Sequence, residues 1–465
     1  MKKILFVEPM GTSSNVFSKY MKIPLLGPVI LGTIAKEAGF DVAIINENII
    51  GRRIWANELL GVDILCLSCI TATVDRGKEI ANEYKALRRA NGLEAKTIIG
   101  GIHASMLPQD VAPYFDQVVV GEAEEAIIDI LSGKVKDKIV YCTRPEDLDS
   151  LPIPDFSLIK ESERISNIPV MTSRGCPHHC NFCSVTAMFG KKYRSQSPDR
   201  VLREVSRYKK GTVFFIDDNF TANIKRSNEI FDGLINSGFN RPWTAQVRTE
   251  ITKKPEFVEK MKQAGCNTVY VGFESVNPET LKSMKKGQDV EDIRRSIASF
   301  AKQSILVHGM FVLGGDSDTK DVFKMTQDFC RETDLDYVQY GVLTPIPGSE
   351  FYNQIEAEGR FLHKNWSLYD GLHTVFSPKN MGADELQRGM IESFEDFYSY
   401  ANGVNDGLNL VFDTIKSAVK SLYTKAYFPS LLPFIMKFAG KEIIKRWLAE
   451  NKSYLSYLKG IKERS

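Results

Sequence analysis

The 465-residue sequence has almost no excess of charge of either sign, with 60 lysines and arginines against 58 aspartates and glutamates. A whole-molecule electrostatic attraction for nucleic acid is therefore not expected, and any basic surface has to be local. No uninterrupted apolar run approaches the ~20 residues that a spanning helix needs. The opening Ile4-Leu5-Phe6-Val7 is too short for a secretory leader and reads as a first strand. The expectation is a cytoplasmic protein, at most peripheral at the inner membrane surface. Cysteine is sparse, with eight residues at irregular spacings, which argues for reduced thiols rather than a disulfide framework. Short-period repeats and low-complexity tracts are missing as well.

What the sequence does have is alternation, over a length that exceeds the ~250 to 300 residues at which single cores stop growing. Strand-like runs at 4–8, 42–46, 64–69, 97–101 and 117–120 alternate with helical patterns at 26–38, 74–90 and 122–131. That order predicts an α/β domain over residues 1–140, a doubly wound parallel sheet whose ligand crevice lies outside the carboxyl ends of its strands. A linker over 141–166 contains Leu151-Pro152-Ile153-Pro154-Asp155, where two prolines interrupt regular structure. A second series of strands, at 169–173, 212–217, 243–248, 268–273, 305–313 and 336–343, predicts a full or partial parallel barrel over 167–348. Residues 349–465 turn mainly helical and aromatic.

Two groups of cysteines stand out. Cys66 and Cys69 form a C-x-x-C inside an apolar run, and their odd separation puts them on opposite faces of a strand, so core packing is the better reading. Cys142, Cys266 and Cys330 stand alone and read as packing residues. Arg174-Gly175-Cys176-Pro177-His178-His179-Cys180-Asn181-Phe182-Cys183 is different, because it follows the first barrel strand, where a barrel enzyme places its chemistry. Three thiolates holding four irons leave one iron open to a further ligand. A zinc site completed by His178, His179 or a distant cysteine is the alternative, although C-x3-C-x2-C is not a usual zinc spacing.

The triplet resembles the radical S-adenosylmethionine (SAM) superfamily signature C-x3-C-x-aromatic-C, with Phe182 as the aromatic and, by that resemblance, a SAM contact. The resemblance spans roughly residues 167–348. It implies an oxygen-sensitive enzyme in which Cys176, Cys180 and Cys183 hold a [4Fe-4S] cluster that cleaves SAM to a 5′-deoxyadenosyl radical. An external electron donor such as ferredoxin or flavodoxin is implied too. By the same resemblance, Asp217 or Asp218 would hold the SAM amino group, with a helix cap as the alternative for either. Arg248 would pair with the SAM carboxylate or stand as a solvated arginine. Glu274 would bind the ribose hydroxyls or form a structural ion pair. Gly314, in a glycine set that could equally serve a turn, would let backbone approach the adenine.

A parallel domain ahead of such a core resembles the cobalamin-binding subclass of radical SAM proteins. Pro24-Leu25-Leu26-Gly27-Pro28, Gly100-Gly101-Ile102-His103-Ala104-Ser105 and Gly121-Glu122-Ala123-Glu124 carry that resemblance. Gly100, Gly101, His103 and Gly121 are the candidate cobalamin contacts. D-x-H-x-x-G is absent, so His103, the domain's only histidine, is not assigned to cobalt. A vestigial or partner-binding role is the alternative for the whole domain.

The run from Tyr340 to Phe376 resembles subclass members with a helical extension, including hopanoid-methylating enzymes. The function this implies is C-methylation of an unactivated carbon on a small or lipid-like substrate. Oxygenation, cyclisation or carbon–carbon coupling without methyl transfer is the alternative, and a non-catalytic iron-sulfur protein a third. Methylthiolation of transfer RNA is disfavoured, since neither an additional N-terminal cysteine set nor a basic RNA-binding domain is evident. From Asn405 onward, eleven basic residues stand against five acidic ones. Ile444, Trp447, Leu448, Leu455 and Leu458 form a stripe beside Lys441, Lys445, Lys452 and Lys459. Such a stripe suits either packing on the protein's own body or contact with a membrane surface.

Overall fold

The computed structural model describes residues 2–12, 22–399, 445, 447, 449 and 451–461. Near the N-terminus, β1 (Lys3–Glu8), β2 (Asp41–Asn46), β3 (Ile64–Ser68), β4 (Thr97–Gly100), β5 (Gln117–Val120) and β6 (Ile139–Tyr141) form one sheet. Its order is β2-β1-β3-β4-β5-β6, parallel throughout. Strands covered on both faces read as near-continuous apolar runs, as Ile64 to Leu67 does, all four buried. Because β1 sits between β2 and β3, the chain reverses direction across the sheet there, and the crevice of a doubly wound sheet opens at such a point. Gly101 marks its edge. Its φ is +95°, and a Cβ would lie 2.6 Å from the Cys69 carbonyl oxygen, so only glycine lets the chain leave β4 so close to the end of β3.

The second sheet begins with β7 (Asn167–Val170). A short antiparallel pair follows, β8 (Ser173–Arg174) with β9 (Arg194–Ser195), and brackets the cysteine loop. Then come β10 (Thr212–Phe215), β11 (Trp243–Val247), β12 (Cys266–Glu274), β13 (Leu306–Leu313) and β14 (Tyr337–Val342). The order β14-β13-β12-β11-β10-β7 is all parallel and leaves β7 and β14 unpaired with each other. This is a partial barrel. The helices between the strands start on local signals: Ser197 caps Pro198–Arg207, Asn223 caps Ile224–Asn236, and Asp289 forms a capping box on Val290–Lys302.

Two features differ from the sequence expectation. The N-terminal sheet has a sixth strand, Ile139–Tyr141, which pairs with β5. The C-terminal extension is also only partly helical at its start. Phe361 and Phe376 form a bridge, Trp366–Leu368 is a 3-10 turn, and the first long helix is Ala383–Phe397. Trp366, Tyr369 and Val375 pack into the core of the N-terminal sheet, and Trp366 Nε1 donates to Asp110 Oδ1 at 3.2 Å. No helix among the described residues is long and apolar enough to cross a membrane. Trp447 and Leu458 are each only 1% exposed, with Trp447 edge-on to Phe394. That part of the tail's stripe is occupied by the protein's own body, while Ile444, Leu448 and Lys441 lie outside the described residues.

Candidate active site

Cys176, Cys180 and Cys183 line one pocket of about 180 Å³ at the carboxyl end of the barrel strands, together with His178, Phe182 and Asp218. Burial pushes the Cys183 thiol up to about 11 and raises Cys176 as well. Such thiols become good ligands only when a metal repays their deprotonation. The loop that carries them is tied down. The backbone N–H groups of Asn181 and Phe351 link it to Met284 and to the extension, and His178 Nε2 lies 3.3 Å from Glu250. Burial opposes the charge on Glu250, but His178 and Arg248 hold its carboxyl down to about 2. Among the described residues no three cysteine, histidine or acidic side chains converge on one point as a single zinc ion requires. The three thiols share one pocket, as the ligands of a single cluster do.

The same pocket is lined by Arg248, Gly272, Glu274, Lys286 and Met310. Arg248 Nε donates to Glu250 at 2.9 Å and its Nη2 to the Lys286 carbonyl at 2.6 Å. Glu274 has φ +62°, where β12 slips register against β13. Non-glycine residues are rarely held there unless the surroundings impose it. Lys286 Nζ, buried, donates to Glu274 Oε1 at 2.6 Å. A Cβ on Gly272 would run into both groups. The ion pair anticipated for Glu274 is thus present, inside the pocket rather than away from it.

Not every candidate is brought together. Asp217 and Asp218 separate. Asp217 turns inward and accepts from the Thr172 backbone N–H at 3.0 Å and from the Thr172 and Ser173 hydroxyls, without reaching the pocket. Asp218 lines it, and burial, followed by the repulsion of Asp217, pushes its carboxyl up to about 6. Gly314 lies outside the pocket lining as well. Its N–H donates to Asp318 at 3.1 Å and its α-carbon faces Leu386, so it serves a turn.

A second, mainly apolar cavity of about 340 Å³ lies at the crevice of the N-terminal sheet. Gly100, Gly101 and Gly121 line it, as do Leu25 and, in the first turn of the helix Leu26–Glu37, Leu26, Gly27 and Pro28. The barrel closes it from the other side with Met171, Met188, Phe189 and Ile216. Asp218 lines both cavities. His103 lines neither. It is fully buried, 3.2 Å from Asp110 and edge-on to Trp366, and so, against the sequence expectation, it does not face the crevice. Cys66 and Cys69 border the cavity, and burial drives Cys66 up to about 12 and Cys69 higher still, so both behave as packing thiols.

Fold and site together define a radical SAM barrel that closes over a corrinoid-type crevice. The radical SAM superfamily model matches residues 170–330 and the B12 binding domain model residues 16–131. Over 413 residues the chain is 30% identical to a bacteriochlorophyllide d C-12(1)-methyltransferase of Chlorobaculum tepidum, covering 85% of this chain and 87% of the relative. It is 26% identical to a hopanoid C-2 methylase of Rhodopseudomonas palustris, over 70% of this chain and 63% of that one. The cobalamin-dependent SAM radical enzyme OxsB, solved with aqua-cobalamin and SAM bound, shares the fold, with a TM-score of 0.68 at 13% identity over 99% of this chain and 80% of that chain. The chain belongs to the cobalamin-dependent radical SAM methyltransferases. Its cofactors are a [4Fe-4S] cluster, SAM and cobalamin. The residues present fit them: free thiols, a cation and acids line one pocket, while the other keeps two buried polar atoms without a protein partner, Glu124 Oε2 and Arg174 Nε.

Proposed function

We propose that this methyltransferase C-methylates an unactivated carbon of a small or lipid-like substrate. The observation that carries the reading is Asp218, which borders both cavities, so a substrate carbon beside it has the SAM pocket on one side and the corrinoid crevice on the other. When bound, the cofactors supply a hydrogen-abstracting radical and the methyl group. The chain's own residues bind and orient. Cys176, Cys180 and Cys183 hold the cluster, with Phe182 packed behind them against the barrel core. Asp218 accepts from the SAM ammonium and Arg248 faces its carboxylate. Glu274, held by Lys286, accepts from the ribose hydroxyls. Asp217 acts from behind by fixing Thr172 and Ser173, and Gly314 by shaping the turn after β13. Gly100, Gly101 and Gly121 let a corrinoid edge reach the backbone.

The apolar wall of Met171, Met188, Phe189 and Ile216 supports an apolar substrate, and two relatives are named for bacteriochlorophyllide and hopanoid substrates. The test is anaerobic turnover of the reconstituted enzyme, reduced by flavodoxin or ferredoxin, with methyl-labelled SAM and a panel of tetrapyrroles and polycyclic lipids. Labelled methylated product is expected, with 5′-deoxyadenosine and S-adenosylhomocysteine in equal amounts. 5′-Deoxyadenosine alone would reassign the chain to oxygenation, cyclisation or carbon–carbon coupling. Neither nucleoside, in enzyme with full iron and cobalt content, would leave a binding protein.

A further inference from the structure

The wall of the N-terminal crevice is charged as well as apolar. Glu122 and Glu124 follow Gly121 at the end of β5, and Arg174 directly precedes Gly175-Cys176 of the cluster loop. Arg174 Nη1 donates to Glu122 and its Nη2 to Glu124 Oε1 at 2.6 Å. Arg194, from β9, donates to Glu122 Oε2 at 3.1 Å and to the Pro145 carbonyl at 2.6 Å. The side chains of Arg174 and Glu122 are each 3% exposed and that of Glu124 6%. Charges buried so deeply are tolerated when paired and hydrogen-bonded, and Glu122 is satisfied in this way. The other two are not. Arg174 Nε–H and Glu124 Oε2 have no partner, and both residues line the cavity of the N-terminal crevice.

One unpartnered donor and one unpartnered acceptor, on two residues that an ion pair joins, are complementary to a carboxamide, which offers an oxygen to the donor and an N–H to the acceptor. A carboxylate offers only acceptors and would be repelled by Glu124. A corrinoid carries carboxamides around its rim. We propose that Arg174 and Glu124 form a clamp for one corrinoid carboxamide. This rests on the assignment of the crevice to cobalamin. The clamp selects amidated corrinoids over their acid precursors, and it does so with a residue two positions from Cys176.

The test is binding, without turnover, of two tail-less corrinoids to the full chain with its cluster: cobinamide, with amides on its rim, and cobyrinic acid, with carboxylates. Wild type is expected to bind cobinamide at least roughly tenfold tighter, the scale of one charge-assisted hydrogen bond. Glu124→Gln keeps an oxygen for Arg174 Nη2 and turns an NH2 toward the ligand, so the preference should fall or reverse while melting temperature and iron content hold. Glu124→Ala should weaken cobinamide binding about tenfold or more and strengthen cobyrinic acid binding, since the repelling carboxylate is gone. Equal affinities in wild type, unchanged by either variant, would overturn the clamp and leave the two atoms to an ordered water. Binding of neither corrinoid to wild type would instead overturn the assignment of the crevice. If Glu124→Gln lowers melting temperature, wild-type selectivity alone decides.

Discussion

Burial and position separate the signature cysteines from the packing ones, with Cys142 half-buried but outside the cluster pocket. Cys66, Cys69, Cys266 and Cys330 are buried, while the signature triplet is half-buried in an open pocket. Replacing Cys176, Cys180 and Cys183 by alanine should abolish the roughly four irons of reconstituted protein, whereas Cys66→Ala with Cys69→Ala should leave iron analysis unchanged. His103→Ala should leave corrinoid affinity as it was and lower stability by about 1–3 kcal/mol, through loss of its contact with Asp110 and a cavity beside Trp366. A denaturant titration with and without cobalamin separates the two effects. At this scale the sequence reveals residue type and strand end, but less of direction. Asp217 and Asp218 are both acids after β10, and neighbours along an extended chain point to opposite sides. Only the Thr172–Ser173 donors show which one faces inward. Lys286, which lines the pocket, and Glu250, which pairs with Arg248 there, are not legible in the sequence. A bare lysine in a polar stretch carries no signal, although twelve residues separate it from the acid that it holds.

The elements were legible where periodicity was long. The six barrel strands and the helices Val74–Ala90, Pro198–Arg207 and Val290–Lys302 fall where alternation and capping residues place them. The strand Ile139–Tyr141 escaped because three residues after a lysine-rich stretch make no pattern. The extension escaped for a different reason. Its aromatics satisfy any apolar surface, and the sequence does not say that Trp366 belongs to the core of a sheet over 200 positions earlier, as its bond to Asp110 shows. Trp366→Ala should therefore cost about 3–5 kcal/mol and unfold the N-terminal sheet first, which hydrogen exchange would resolve strand by strand. The last described helical stretch is docked by charge. His373 Nδ1 lies 2.9 Å from Asp370 and its Nε2 2.6 Å from Asn451 Oδ1, with Tyr454 edge-on and His363 beyond it. Asn451 Nδ2 is committed to the Trp447 carbonyl, so both ring nitrogens of His373 must donate. Burial opposes the resulting charge, but Asp370 and Asn451 outweigh it, and the pKa lies above the ordinary histidine value. A raised folded-state pKa stabilises fully below the unfolded value of ~6.5 and loses that contribution as pH climbs through the folded value. Urea midpoints should fall between pH 6 and pH 9 in wild type, and the fall should be smaller in His373→Asn.

Over the whole molecule, the near-neutral charge of the sequence conceals a paired interior. The arginine–glutamate cluster at Arg174 joins the N-terminal sheet to the barrel, and Asp218 sits where their cavities meet. The domain order was legible because each half repeats its own strand–helix unit. The relative placement of the halves was not, since it depends on the contacts of Glu122, Glu124 and Trp366 across distant positions. What joins the two halves is the adjacency of the cluster pocket and the corrinoid crevice in one chain. It is tested most directly by electron paramagnetic resonance of the protein loaded with cob(II)alamin. Reducing the cluster should broaden the cobalt signal and speed its relaxation in wild type, with no change in the protein lacking Cys176, Cys180 and Cys183. A cobalt signal indifferent to cluster reduction, in protein carrying both cofactors in full, would show that the two sites do not adjoin.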